Sequence, residues 1–301
     1  MRPDVGAATS SEDETAHAEL CAPLGQPGSG RLRYAAAMHL YGLGQVSDAA
    51  LEVYRICSPL DGEDPAALLR MRGLAHEVSV PQQLSGDLAI RLLVDAADRY
   101  FASLSGPGIA EIRADLSVWR SGPVTPGLAP ASAFVQRWMP EALAALRATH
   151  PALAAAISAA VPHLKWITYD GYPVAEVGEA FSKGHAFASI IGEDAAIPAV
   201  DWECGIFLIS PHVLYRDHRH IAPELYAPLT GPHGWRFETE RPLKILPAHQ
   251  PVWNDPFVTH LTKVGPIPFL SLYAWTKDVN PIAEIVPASD WAMLEALRLG
   301  R

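Results

Sequence analysis

From Leu88 to Leu104 apolar residues recur at every fourth position through Leu92, Ala96 and Tyr100, and a second stripe one step on runs through Leu93, Ala97 and Phe101. A period near 3.6 sets both stripes on one broad face, so the segment is expected to be an amphipathic helix. Similar patterns surround it. Ser47 and Asp48 stand where an N-cap would precede AALEVYRIC, and Asp64-Pro65 would open AALLRMRGLA with Pro at the first helical position. Pro is suited there because its missing N–H would have no intrahelical partner in any case. IAEIRADLSVWR, ASAFVQRWMPEALAALRAT and PALAAAISAAV extend the run of expected helices. Residues 1–29 mix Ser, Glu, Asp, Gly and Pro with little periodicity and read as a mobile tail.

Near Trp166 the pattern changes. GHAFASIIG, WECGIFLIS, HVLYRDH, ELYAPLT, WRFETE, LKILPAH, VTHLTKV and PFLSLYAWT are short runs rich in β-branched and aromatic residues, punctuated by Gly and Pro. Strands at such close, regular spacing predict an antiparallel sandwich or barrel whose interior holds side chains or one small ligand. The expected class is α+β. The expected division is a tail over 1–29, an α-helical region over 30–162 and a β-barrel over 163–301. The helices of residues 30–80 are expected to serve as a homodimer interface or as a lid on the barrel mouth.

Composition narrows the function classes. Among 301 residues the net charge is −10, which argues against nucleic acid or an anionic membrane surface as partner. Cys21, Cys57 and Cys204 are few, odd in number and widely spaced, which fits a reducing compartment better than a disulfide framework. The opening residues lack the apolar core of a secretion signal, and the most apolar stretch, 151–162, is too short to span a bilayer. A cytoplasmic protein is expected.

Six of the twelve histidines fall between His212 and His260. His218 and His220, two apart on an expected strand, would present both imidazoles to one side. Glu224 and Tyr226 share a face of the next strand by the same rule, with Pro223 in the turn between. His260, arriving from a later strand, would close a set of three nitrogens and one oxygen. Such a set suits one divalent transition metal, with Zn, Fe(II), Mn, Ni and Co all compatible. The other histidines, including His185, His233 and His249, are off-pattern and are expected to be ordinary surface or hydrogen-bonding residues.

The order HxHxxxE followed by a distant His resembles the cupin metal signature, and neighbouring residues sharpen the likeness. Tyr215 stands five before His220, Glu224-Leu225-Tyr226 carries a Tyr two past the acid, and Leu229-Thr230-Gly231 leads to Trp235. Val252-Trp253-Asn254-Asp255-Pro256, His260 and Pro268-Phe269-Leu270-Ser271-Leu272-Tyr273-Ala274-Trp275 follow. Together they resemble the cupin-type dimethylsulfoniopropionate lyases and their lyase-like relatives, strongly over 163–278 and faintly over 84–161. Arg219 and Pro223 occupy spacer positions where those proteins more often have His and an acid. The resemblance implies a C-terminal antiparallel cupin β-barrel with His218, His220, Glu224 and His260 as metal ligands. It also implies Tyr226 as the base and Tyr215 as a second active-site tyrosine.

The implied reaction is β-elimination from a small carboxylate, cleaving a C–S bond to give dimethyl sulfide and acrylate. A metal on the carboxylate would stabilise charge developing beside it. A tyrosine, with an ordinary pKa of about 10, is a poor base unless a nearby dication favours its phenolate. Trp235, Trp253, Tyr273 and Trp275 offer aromatic faces to a cationic sulfonium. The same ligands would also serve an Fe(II) dioxygenase, an isomerase, or a non-catalytic barrel that senses a metal or small molecule.

Overall fold

The computed structural model describes residues 11–78, 85–127, 132–168 and 173–300. Contacts divide the chain into two compact units, Met1–Gln83 and Leu84–Arg301. Helices α5 to α8 therefore belong with the barrel rather than with the earlier helices, which departs from the expected 30–162 region.

The first unit holds α1 (Ser11–Leu20), α2 (Ser29–Gly42), α3 (Asp48–Cys57) and α4 (Pro65–Met71). The cap signals read correctly: Ser47 Oγ accepts from the Ala50 N–H, and Asp64 accepts from the Ala66 N–H ahead of Pro65. Leu40, Val53, Tyr54 and Leu69 form the core, joined by Ala16 and Leu20 of α1. The expected tail is thus corrected over 11–20. Two apolar residues four apart in an acid-rich stretch make a stripe too brief to register as a period, yet wide enough to dock. It is corrected over 21–29 as well, where Arg33 donates to the carbonyls of Ala22 and Pro23 and the Gly28 N–H donates to Asp61; residues 1–10 lie outside the described residues.

The second unit opens with α5 (Gly86–Ser103), α6 (Ile109–Trp119), α7 (Ala133–Arg147) and α8 (Pro151–Ala160), then the short α9 (Val174–Val177) and α10 (Glu179–Lys183). On α5 the stripe through Leu93, Ala97 and Phe101 is buried, whereas Leu88 and Leu92 are exposed.

Among the described residues eleven strands follow, and then α11 (Trp291–Ala296): β1 (His185–Gly192), β2 (Ile197–Pro198), β3 (Glu203–Ile209), β4 (Leu214–Arg219), β5 (Glu224–Pro228), β6 (His233–Phe237), β7 (Lys244–Leu246), β8 (Val252–Asn254), β9 (His260–Lys263), β10 (Phe269–Trp275) and β11 (Glu284–Ile285). Each of the runs read as a strand overlaps one. The additions β2, β8 and β11 are only two or three residues long, too short to show alternation.

Six strands order as β2-β1-β3-β10-β5-β8 and five as β11-β4-β9-β6-β7, antiparallel throughout except for the parallel pair β1·β2. Alternation assigns the faces of the six-stranded sheet. Ala188, Ile206, Leu225, Leu272 and Ala274 join the core formed with α5 to α8. Phe207, Tyr226, Phe269 and Tyr273 turn the other way, into the core between the sheets with Tyr215 and Trp235. The result is an α+β chain with a cupin double-sheet barrel, and the site lies on its inner faces.

Candidate metal centre

The ligand atoms of His218, His220 and His260 lie within 4.8 Å of one another, and all three residues are buried. His218 and His260 are cross-strand partners in β4 and β9, and His220 stands just past the end of β4. Each imidazole is oriented by a peptide carbonyl. Nδ1 of His218 meets Arg216 O at 2.8 Å, Nδ1 of His220 meets Ala222 O at 2.7 Å, and Nδ1 of His260 meets Val258 O at 2.9 Å. A carbonyl only accepts, so Nδ1 of each ring donates and Nε2 is the nitrogen left to face the cluster.

Glu224 completes the group from β5. Its Oε2 lies 3.1 Å from His220 Nε2 and 3.4 Å from His260 Nε2, and accepts from Asn254 Nδ2 at 2.9 Å. Its Oε1 accepts from Trp275 Nε1 at 2.7 Å. Burial opposes ionisation of Glu224, but the neighbouring imidazoles prevail and hold it well below the usual carboxylate range. Burial likewise opposes the charged form of His220, yet Glu224 keeps its pKa raised. His218 is driven well below its ordinary value by burial first and by the other two histidines next.

The donor set fits a divalent metal. His260 Nε2 is fully buried and has no hydrogen-bond partner, an orphan aimed at the carboxylate and the other imidazoles. Four ligands bonded at 2.0–2.2 Å in a tetrahedron stand about 3.4 Å apart. The 3.1 and 3.4 Å separations from Glu224 match that spacing.

Beside this cluster lies a cavity of about 180 Å³, lined by His218, His220 and Glu224 together with Tyr215, Tyr226, Tyr273 and Trp275. Tyr226 reaches it because parity on β5 turns Glu224 and Tyr226 the same way. Tyr215 stacks on His218 with ring centroids 3.9 Å apart, and Trp275 stacks on His220 at 4.8 Å. Tyr273 and Trp275 share an inward face, as their spacing required.

The other two expected aromatic contacts need correction. Trp253 is the cross-strand partner of Leu225, which faces the helices, so its ring turns away from the cavity. It packs at the start of α6, where Gly108 leaves room that any Cβ would fill, 2.1 Å from the ring. Trp235 does point between the sheets, but it is buried behind Tyr226 and Phe269 and does not line the cavity.

Sequence reasoning also missed four contributors. Asn254 and Glu203 lie in the cross-strand row Glu203–Trp275–Glu224–Asn254, which short β8 and an isolated acid did not advertise. Phe181 stacks on Tyr215 at 4.0 Å and on His185 at 4.1 Å, from a helix too short to predict. His185 is buried, and desolvation lowers its pKa to about 4.

An inner-face three-histidine, one-glutamate pole in a double-sheet barrel defines a cupin. Residues 128–271, just under half of the chain, match the family model described as "Dimethlysulfonioproprionate lyase". The crystal structure of the DMSP lyase DddQ from Ruegeria pomeroyi DSS-3 is similar at 21% identity and a TM-score of 0.51, covering 66% of this chain and 97% of that one. A structure of the DMSP lyases RdDddP and RnDddQII is similar at 20% identity and a TM-score of 0.49, covering 67% of this chain and 100% of that one. The likeness to DddQ shows the fold alone. No curated protein matches the chain. Among the described residues no helix is long and apolar enough to cross a membrane.

Proposed function

We propose that the protein is a metal-dependent carbon–sulfur lyase that splits dimethylsulfoniopropionate, or a related small carboxylate, into dimethyl sulfide and acrylate. The observation that carries this reading is the convergence of His218, His220, His260 and Glu224 beside a cavity that Tyr226 also lines. The family match over residues 128–271 supports the substrate.

His218, His220, Glu224 and His260 would hold Zn, Fe(II) or Mn, and the bound ion would supply Lewis-acid polarisation of the substrate carboxylate. Tyr226 Oη, as the phenolate, takes the proton from the carbon next to the carboxylate and becomes the phenol. The electrons of that C–H bond form the C=C bond of acrylate, and the C–S bonding pair leaves with dimethyl sulfide. Tyr215, fixed between His218 and Phe181, lines the cavity as a second hydroxyl. The aromatic walls exclude water and present π-faces to the sulfonium. The substrate is a free small molecule, and a cytoplasmic setting accords with the sparse cysteines.

The test is to load the purified protein with each of these metals, add dimethylsulfoniopropionate and measure dimethyl sulfide by gas chromatography. Release above the protein-free rate with at least one metal is expected. No release with any of them rejects the substrate.

A further inference from the structure

The cavity has a second carboxylate. Glu203 on β3 is the cross-strand partner of Trp275, which in turn pairs with Glu224 on β5. Directly opposed residues face the same side of a sheet, so the two acids flank the Trp275 ring, two strand spacings or about 10 Å apart along the row. Glu224 belongs to the metal pole. Glu203 has a different setting: its Oε1 accepts from Ser189 Oγ at 2.5 Å and from Tyr273 Oη at 2.5 Å. Among the described residues no Lys, Arg or His pairs with it, and no Lys or Arg lines the cavity.

A small residue makes this arrangement possible. Gly205 is the cross-strand partner of both Ser189 and Tyr273, and a Cβ there would lie 2.8 Å from the Tyr273 ring and hydroxyl. The bare glycine lets the phenol lean over β3 and reach Glu203. Burial, then the Glu203 charge, holds the Tyr273 pKa well above its ordinary value, so the hydroxyl remains a donor. Two neutral donors fix the carboxylate without cancelling its charge. Phe187 and Phe207 pack edge-on around the same corner with Tyr273, leaving an aromatic wall with one negative charge in it.

We infer that Glu203, set by Tyr273 and Ser189, is a specificity residue that selects onium carboxylates, molecules with a carboxylate for the metal pole and a fixed positive charge for the Glu203 pole. This rests on the lyase reading only for the position of the carboxylate. Its probes need no turnover: 3-(trimethylammonio)propanoate, whose head group is cationic, and its isostere 4,4-dimethylpentanoate, whose head group is neutral, differ by a single positive charge. Binding of each to the metal-loaded protein is measured by calorimetry. Wild type is expected to prefer the cationic probe by about tenfold or more, since opposite charges a few ångströms apart at a partly buried site attract strongly. Glu203→Gln, which can still accept from Tyr273 and Ser189, should bring the ratio near one while keeping the neutral probe's affinity and the metal content. Tyr273→Phe should retain most of the preference.

Equal affinity of the two probes for wild type, a preference that survives Glu203→Gln, or binding of neither probe overturns the inference. The lyase reading fails separately: a protein that prefers the cationic probe but releases no dimethyl sulfide loses only the reaction. One that releases dimethyl sulfide without the preference loses only the role of Glu203.

Discussion

Tyr215 and His218 stand three residues apart on one strand, yet their rings lie face to face, 3.9 Å between centroids. Regular alternation would send them to opposite sides of the sheet. The register explains the exception: Tyr215 pairs with Thr262 and His218 with His260, so Arg216 and Asp217 together oppose Leu261. This is a β-bulge, which resets the parity of the strand. Arg216 meets Glu295 and the carbonyls of Ala175 and Glu176, while Asp217 turns to Arg236 and Trp291.

The bulge predicts a large cost for breaking its buried ion pair. Asp217 and Arg236 are both fully enclosed, and Asp290 shares the guanidinium. Asp217→Ala would leave the guanidinium with a single, partly exposed acid, so a loss on the order of 3–5 kcal/mol is expected. Urea unfolding of the variant against wild type measures it, and a change below about 1 kcal/mol would contradict a structural role for the pair.

Metal retention tests the ligand set. Purified wild type should carry close to one transition-metal ion per chain, and His220→Ala or His260→Ala should lose most of it after dialysis, because each removes one of four converging ligands. Elemental analysis decides. Equal content in wild type and the double variant would reject the centre.

Tyr226→Phe should spare the metal and abolish most turnover. The hydroxyl is removed while the ligands and the ring contacts with Phe207 and Trp235 remain. Loss of a general base typically costs about 10²–10⁴ in rate. Tyr215→Phe, which preserves the stack on His218, should cost less. Rates of dimethyl sulfide release at matched metal content compare the two.

Acid should destabilise the fold through His233. Burial lowers its pKa to about 3, and the geometry agrees, because Nδ1 accepts the Gly265 N–H at 3.1 Å and has no room for a proton of its own. The unfolded histidine titrates at its ordinary value near 6.5. A group whose folded pKa is depressed contributes its stability above the unfolded pKa and loses it as pH falls toward the folded one. The His233 contribution is therefore complete at pH 7 and declines from about 6.5 toward 3, on the order of 2–3 kcal/mol by pH 4.5. His233→Gln should flatten the fall of the melting temperature over that window relative to wild type.

What the sequence disclosed follows from the range of its signals. The cluster of side chains was legible because His218, His220 and Glu224 lie within seven residues and Tyr226 shares parity with Glu224. Tyr273 and Trp275 could be paired for the same reason. Trp253 was misjudged because the sense of a strand, inward or outward, depends on its partner: only pairing with Leu225 tells that its ring faces the helices. The bulge between Tyr215 and His218 breaks the period without any Gly or Pro to mark it. Helix α1 escaped notice because Ala16 and Leu20 are all it buries among its described side chains. Glu203 is one acid in WECGIFLIS, and its importance comes from strands about 70 residues away.

The three imidazoles rest on peptide oxygens, not on acids. A peptide carbonyl orients a histidine without adding formal charge. A divalent ion held by three neutral imidazoles and the Glu224 carboxylate would thus retain one net positive unit. A single carboxylate brings that pole to neutrality, whereas a dicarboxylate or a phosphate dianion would leave an excess negative charge in a buried place. Counter-ion arithmetic of this kind favours monoacids as ligands and as competitive inhibitors. It also means that converting any of those carbonyl supports into an acidic side chain would weaken the hold on every anion the pocket accepts.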